Sequence, residues 1–159
     1  MPDVMRWRYG DTNPVVVPVD GATVIEIGDL VLLDEGNARP ASATPYVGRF
    51  AEEQENFHDL FLGVAMQRSR SGETEPIRVA TSGVFEFDCE PATFERGTRI
   101  GVSDDAKRTK LLSQQVIRVP GNRPQESIGV CAKQVYPANR RVLVDIASTV
   151  MRGGRQAPA

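Results

Sequence analysis

The sequence predicts an all-β fold, a small barrel or sandwich, on three observations. Short β-branched runs bounded by Gly, Pro, Asn and Asp recur along the chain, whereas apolar residues at helical spacing are nearly absent. Two runs alternate as half-buried strands do. Phe85, Phe87 and Cys89 oppose Val84, Glu86 and Asp88, and Val142, Val144 and Ile146 oppose Arg141, Leu143 and Asp145. Finally, three short segments recur in the same order in the two halves, which predicts two weakly repeated units.

Taken in chain order, residues 1–14 contain Arg6, Trp7, Arg8 and Tyr9 with little β pattern and are expected to form an N-terminal arm. The β domain is expected over 15–148. Its strands are expected at 15–19, 23–27, 30–33, 60–67, 77–81, 84–89, 99–102, 110–117, 127–135 and 141–146. Between Asp34 and Gly48 the chain is rich in turn formers and small residues, among them Pro40 and Pro45, and reads as a long surface loop. One short helix is expected at 51–58, where Phe50, Phe57 and Phe61 lie near helical spacing around the polar run Glu52 to Asn56. Residues 149–159 end in Gly, Arg, Gln, Ala and Pro and are expected to be a flexible tail.

In the repeat, Ile27-Gly28-Asp29-Leu30-Val31 corresponds to Arg96-Gly97-Thr98-Arg99-Ile100, and Leu62-Gly63-Val64-Ala65-Met66 to Ile128-Gly129-Val130-Cys131-Ala132. The third pair is Ile77-Arg78-Val79-Ala80 and Arg141-Val142-Leu143-Val144. Glycine at such a strand start permits positive φ or close backbone approach, because it has no Cβ to clash.

Composition bounds the function. With 40% apolar and 25% charged residues the 159-residue chain is expected to fold as one domain. A net charge of −2 lacks the basic surplus that drives phosphate-backbone binding, so nucleic acid is not an expected partner. No apolar run approaches the ~20 residues of a membrane span, and no signal-peptide pattern opens the chain, so synthesis and folding in a cytoplasm are expected. Cys89 and Cys131 are expected as small buried strand residues, with a disulfide the lesser alternative.

No chemistry-bearing motif stands out, and neither cofactor nor metal is expected. His58 is the sole histidine and reads as a solvated side chain on a glutamate-rich segment. Ser82 lacks the Gly-x-Ser-x-Gly frame of an exposed nucleophile and reads as part of a turn or bulge. Asp104 and Asp105 offer too few spaced oxygens for Ca²⁺.

The segments Gly28-Asp29-Leu30-Val31, Phe61-Leu62-Gly63-Val64-Ala65, Ile77 to Phe85, Gly97-Thr98-Arg99-Ile100 and Ser127 to Ala132 together resemble, in order and spacing, the DUF2190 group of small phage proteins, regarded as capsid decoration or cement proteins. The resemblance covers roughly residues 15–146. The loop between Asp34 and Phe57, the insert at Val119 to Pro124 and the two arms depart from the family pattern. Some members carry a recombinase label, but this chain has no Gly-x-x-x-x-Gly-Lys-Ser/Thr phosphate loop.

The resemblance implies a non-enzymatic virion protein, made in the bacterial host, that binds the major capsid protein on the outside of a tailed-phage head. It also implies self-association, most simply as a homotrimer. Arg6, Trp7, Arg8, Tyr9, Pro40, Pro45 and Tyr46 are the candidate contacts with capsid or neighbouring subunits, since Arg, Trp and Tyr dominate interface hot spots. The alternative for residues 1–9 is a plug folded back on its own barrel. The alternative function is a small β-barrel module for carbohydrate or another ligand, a reading weakened by an aromatic content of only 6%.

Overall fold

A computed structural model describes residues 5–153, and the fold is mostly β. The first half contains β2 (Val15–Val17), β3 (Leu30–Asp34), β4 (Asn37–Pro40), a helix α1 (Phe50–Leu60), β5 (Phe61–Ala65) and β6 (Ile77–Ala80). The second contains β7 (Ser82–Phe94), β8 (Arg99–Asp104), β9 (Leu111–Arg118), a 3₁₀ turn (Pro124–Glu126), β10 (Gly129–Cys131) and β11 (Val135–Ala147). A short strand β1 (Trp7–Tyr9) precedes both halves, and a one-turn helix α2 (Thr149–Arg152) follows them.

The repeat is real at the level of topology. The first-half sheet runs β2-β6-β5-β3-β4, and the second runs β7-β11-β10-β8-β9, the same order with each successive pair antiparallel. Registers agree residue by residue. Leu30 pairs with Val64 and Val31 with Gly63; Arg99 pairs with Val130 and Ile100 with Gly129. The Gly28 amide donates to the Ala65 carbonyl at 2.9 Å, as the Gly97 amide does to that of Cys131 at 2.9 Å. The third segment is offset by one residue from the alignment read in the sequence: Ala65 pairs with Val79 and Cys131 with Val144, so Val79 corresponds to Val144.

The second half closes into a five-stranded barrel, because β9 also pairs in parallel with β7 at Asp88 to Gln115 and Cys89 to Val116. In the first half, strands β2 and β4 remain the edges of an open sheet. One hydrogen bond, from the Ala38 amide to the Pro18 carbonyl at 3.0 Å, bridges those edges at the place equivalent to the closing ladder. Pro14 and Pro18 flank β2 and withhold donors there, which blunts the edge.

The glycines that begin the repeated strands are required by close approach. A Cβ on Gly63 would lie 1.8 Å from the Ala80 carbonyl oxygen, and one on Gly129 would lie 2.2 Å from that of Asp145. Ala80 and Asp145 occupy the same place in the two repeats.

Strand alternation divides the apolar residues between two cores. Val17, Val31, Ala38, Ala65, Ile77 and Val79 form a smaller core within the first half. Leu30, Leu32, Phe61, Val64 and Ala80 instead join the larger core that holds Phe85, Phe87, Ile100, Val102, Val116, Val142 and Val144. Neighbouring positions on β3 thus serve different cores, and the first sheet rests on the barrel. Both cysteines are buried and free in this core, as expected.

Several sequence expectations are corrected. The stretch from Asp34 to Gly48 is not one long loop: Glu35 and Gly36, both at positive φ, turn β3 back into β4, and a 3₁₀ turn (Ala41–Ala43) follows. Residues 23–27 form a turn region with a single bridge from Ile25 to Ser69, because the Asp20 carboxylate accepts hydrogen bonds from Ala22 and Thr23 and fixes a turn. The strand expected at 127–135 is confined to β10, and Val135 already belongs to β11. Residues 149–152 are not slack: α2 is capped by Ser148, whose hydroxyl accepts from the Met151 amide, and Arg152 donates to Thr81. The rest of the expected tail, 154–159, and residues 1–4 lie outside the described residues.

Candidate interaction surface

The expected N-terminal arm is in part a strand. β7 has β11 along one edge, and along the other β9 covers positions 88 and 89; β1 takes the free part of that edge, pairing Trp7 with Phe85 and Tyr9 with Val84 across a bulge. The Glu86 amide donates to the Arg6 carbonyl at 2.9 Å, and Met5 packs against the larger core. Folding back on the molecule's own barrel is therefore what residues 5–9 do.

Strand alternation sends the arginines to one side. Arg8 approaches Glu86 at 2.9 Å, Arg6 approaches Asp88 at 3.1 Å, and Arg141 from β11 reaches Glu86 at 3.4 Å and Asp88 at 3.6 Å. Three guanidiniums thus share two carboxylates, leaving a net positive cluster. Beside it a groove of about 510 Å³ runs between Arg8, Glu86, Lys133, Tyr136, Asn139 and Arg141.

Trp7 and Tyr9 stay about half exposed, and Tyr136 is 82% exposed. The Trp7 indole N–H donates to the Gly10 carbonyl at 3.0 Å, which restrains the half-exposed ring. Neither Trp7 nor Tyr9 lines the groove; the exposed aromatic beside Arg8 and Arg141 there is Tyr136, and Tyr with Arg is a residue mixture that carries binding energy at protein interfaces.

The other sequence candidates lie elsewhere. Pro40 is buried at the end of β4, so it presents no contact surface. Pro45 is exposed, but Tyr46 is turned inward, its hydroxyl donating to Asp104 at 2.7 Å. Burial, together with that bond, pushes the Tyr46 phenol up to about 12. Of the seven candidates the structure gathers Arg6, Trp7, Arg8 and Tyr9 on one element; Arg141, Lys133 and Tyr136 join them from a part of the chain that sequence spacing did not connect.

His58 corrects another expectation. It is fully buried, with Nδ1 only 2.6 Å from the Ser127 carbonyl, so Nδ1 carries the proton and donates. The buried stripe of α1 is Glu53, Gln54, Phe57 and His58, polar residues set between the phenylalanines. Each reaches a backbone group of a different segment. Gln54 donates to the Val102 carbonyl at 3.0 Å, His58 to Ser127, and Glu53 accepts from the Val47 amide at 3.2 Å. From the barrel, Gln114 donates to Asp29 at 2.9 Å, and Ser148 donates to the Phe61 carbonyl at 3.1 Å. The bonds of Gln54, His58, Gln114 and Ser148 cross between the two halves and lock them together.

Ser82, at the start of β7, donates to the Asp11 carbonyl at 2.7 Å and accepts from Asn13 at 2.7 Å, a structural tie at the strand entrance. Among the described residues no group of three or more His, Cys, Asp or Glu is arranged to hold a metal ion, and no helix is long and apolar enough to cross a membrane. Compared with known proteins, the chain matches no family model, no curated protein and no solved structure.

Proposed function

We propose that this chain is a structural virion protein that binds the outer surface of a tailed-phage head and bridges neighbouring capsid subunits. The observation that carries the reading is β1: an edge strand with exposed Trp7 and Tyr9, beside a groove with surplus positive charge. An edge strand offers unpaired main-chain groups to an extended segment of a partner, and aromatic and arginine side chains add hot-spot energy. The rigid two-unit body behind β1 supplies support without requiring a catalytic cleft. Binding to the assembled head alone stabilises that state by mass action. Self-association as a trimer on three-fold positions is part of the reading.

Cosedimentation of the full chain with emptied, expanded heads of its phage tests the proposal. Native protein is expected to pellet with heads at a saturating ratio and to raise their thermal stability. The triple variant Trp7→Ala, Arg8→Ala, Tyr9→Ala is expected to lose most of that binding while keeping its far-ultraviolet circular dichroism. Failure of the native chain to pellet with heads overturns the reading.

A further inference from the structure

One wall of the groove of about 510 Å³ beside Arg8 is an uncovered strand edge. β10 pairs with β11 only from Val144 to Ile146, and the Ala132 amide adds one bond, of 2.9 Å, to the Leu143 carbonyl. Ahead of those pairings, residues 135–141 of β11 have β7 on one side and, among the described residues, no strand on the other. Tyr136 to Arg141 are all exposed, and Tyr136, Asn139 and Arg141 line the groove together with Lys133. An uncovered edge offers main-chain N–H and C=O groups to an extended segment.

Charge narrows what that segment is. Three cations, Arg8, Lys133 and Arg141, line the groove with one carboxylate, Glu86, on a chain whose net charge is −2. Arg8 and Arg141 lie 2.9 and 3.4 Å from Glu86, whereas Lys133 and the neighbouring Arg140 are exposed and form no ion pair among the described residues. Two copies meeting edge to edge would set Lys133 and Arg141 against like charges, which disfavours self-pairing here. Glu86 amid the guanidiniums disfavours a continuous run of phosphates, and Tyr136 as the one aromatic among the described lining residues disfavours a sugar ring. Carboxylates spaced along an extended backbone suit both the edge and the charge.

We propose, resting on the reading of this groove as an interface, that it binds an extended acidic peptide segment of the partner, added as a strand along residues 135–141. Main-chain hydrogen bonds to β11 hold the segment, and Lys133, with Arg8 and Arg141 beyond it, selects aspartate or glutamate over their amides.

Fluorescence polarisation of the full chain with a labelled hexapeptide of alternating aspartate and valine tests it. Saturable binding is expected, and the asparagine counterpart is expected to bind at least about tenfold more weakly, the worth of one charge-assisted hydrogen bond. A counterpart N-methylated throughout, which cannot donate to an edge, is expected to lose binding to a similar degree. Lys133→Ala is expected to weaken binding about threefold, as for one exposed ion pair, and Arg141→Ala by more. Amide chemical shifts of ¹⁵N-labelled protein are expected to move at Tyr136, Ala138 and Arg140. No saturable binding, equal binding of the aspartate and asparagine peptides, or equal or tighter binding of a thymidine hexanucleotide overturns the proposal. The exposed, unpaired Lys133 keeps the test sound even if Arg141→Ala loosens β11. Loss of peptide binding with heads still bound overturns this inference alone, and peptide binding without head binding overturns the capsid reading alone.

Discussion

Replacing Gly63 or Gly129 with alanine tests the repeated architecture at its tightest point. The new Cβ would meet a carbonyl oxygen at 1.8 Å in the first half and at 2.2 Å in the second. An ordinary C···O contact is about 3.3 Å, so the strands must separate locally by roughly 1–1.5 Å. Neighbouring strands sit only about 4.8 Å apart, and such a shift breaks the adjoining ladder bonds. Two lost hydrogen bonds at about 1 kcal/mol each, with about 1–3 kcal/mol of overpacking, give a destabilisation of about 3–5 kcal/mol. For a chain of this length that lowers Tm by roughly 6–20 °C. Urea unfolding followed by circular dichroism measures it, with Gly121→Ala as the control, because a Cβ there meets nothing within 4 Å. The control is expected within about 0.5 kcal/mol of native. Should either strand glycine tolerate alanine at under about 1 kcal/mol, or should the control lose as much, close approach is not why these glycines are there.

Glu53→Gln is expected to stabilise the protein near pH 7. Because burial raises the folded-state value of this carboxyl, its favourable contribution is full below the unfolded value of about 4.5 and is lost as pH rises through the folded value, so the advantage of Gln vanishes in acid. Thermal melts of both proteins at pH 4 and pH 7 check the sign. Glu86→Ala removes the carboxylate shared by Arg6, Arg8 and Arg141 and is expected to destabilise by about 1–3 kcal/mol, an effect that shrinks with added salt, whereas Arg8→Ala removes one exposed pair and is expected to fall under about 1 kcal/mol. His58→Ala empties a fully buried site and strips the Ser127 carbonyl of its donor, with an expected loss of about 2–4 kcal/mol in chemical denaturation. Burial pushes the Cys89 thiol up to about 11 and raises Cys131 as well, so a disulfide-exchange reagent at pH 8 is expected to label both only on unfolding.

The sequence by itself determined the strands whose partners are dictated by local pattern. The alternation of Phe85, Phe87 and Cys89, and of Val142, Val144 and Ile146, placed those residues in the core because a pleated strand has a period of two. The echo around Gly28 and Gly97, both at positive φ, and around Gly63 and Gly129, where a Cβ would strike a facing carbonyl, announced two units because each backbone requirement recurs and favours glycine. What the pattern left out has a common cause. β1 and β4 are short, and the alternation in Trp7-Arg8-Tyr9 and Asn37-Ala38-Arg39-Pro40 spans only three or four residues without a β-branched one; an already formed neighbour, β7 or β3, supplies their hydrogen bonds. The polar residues of α1 looked solvated, since a sequence shows that Glu53, Gln54 and His58 are polar but not that carbonyls and amides from Val102, Ser127 and Val47 wait to pair with them. Tertiary structure alone decided those burials, and it alone brought Arg141 and Tyr136 beside the N-terminal strand, because long-range strand pairing fixes neighbours that chain distance does not.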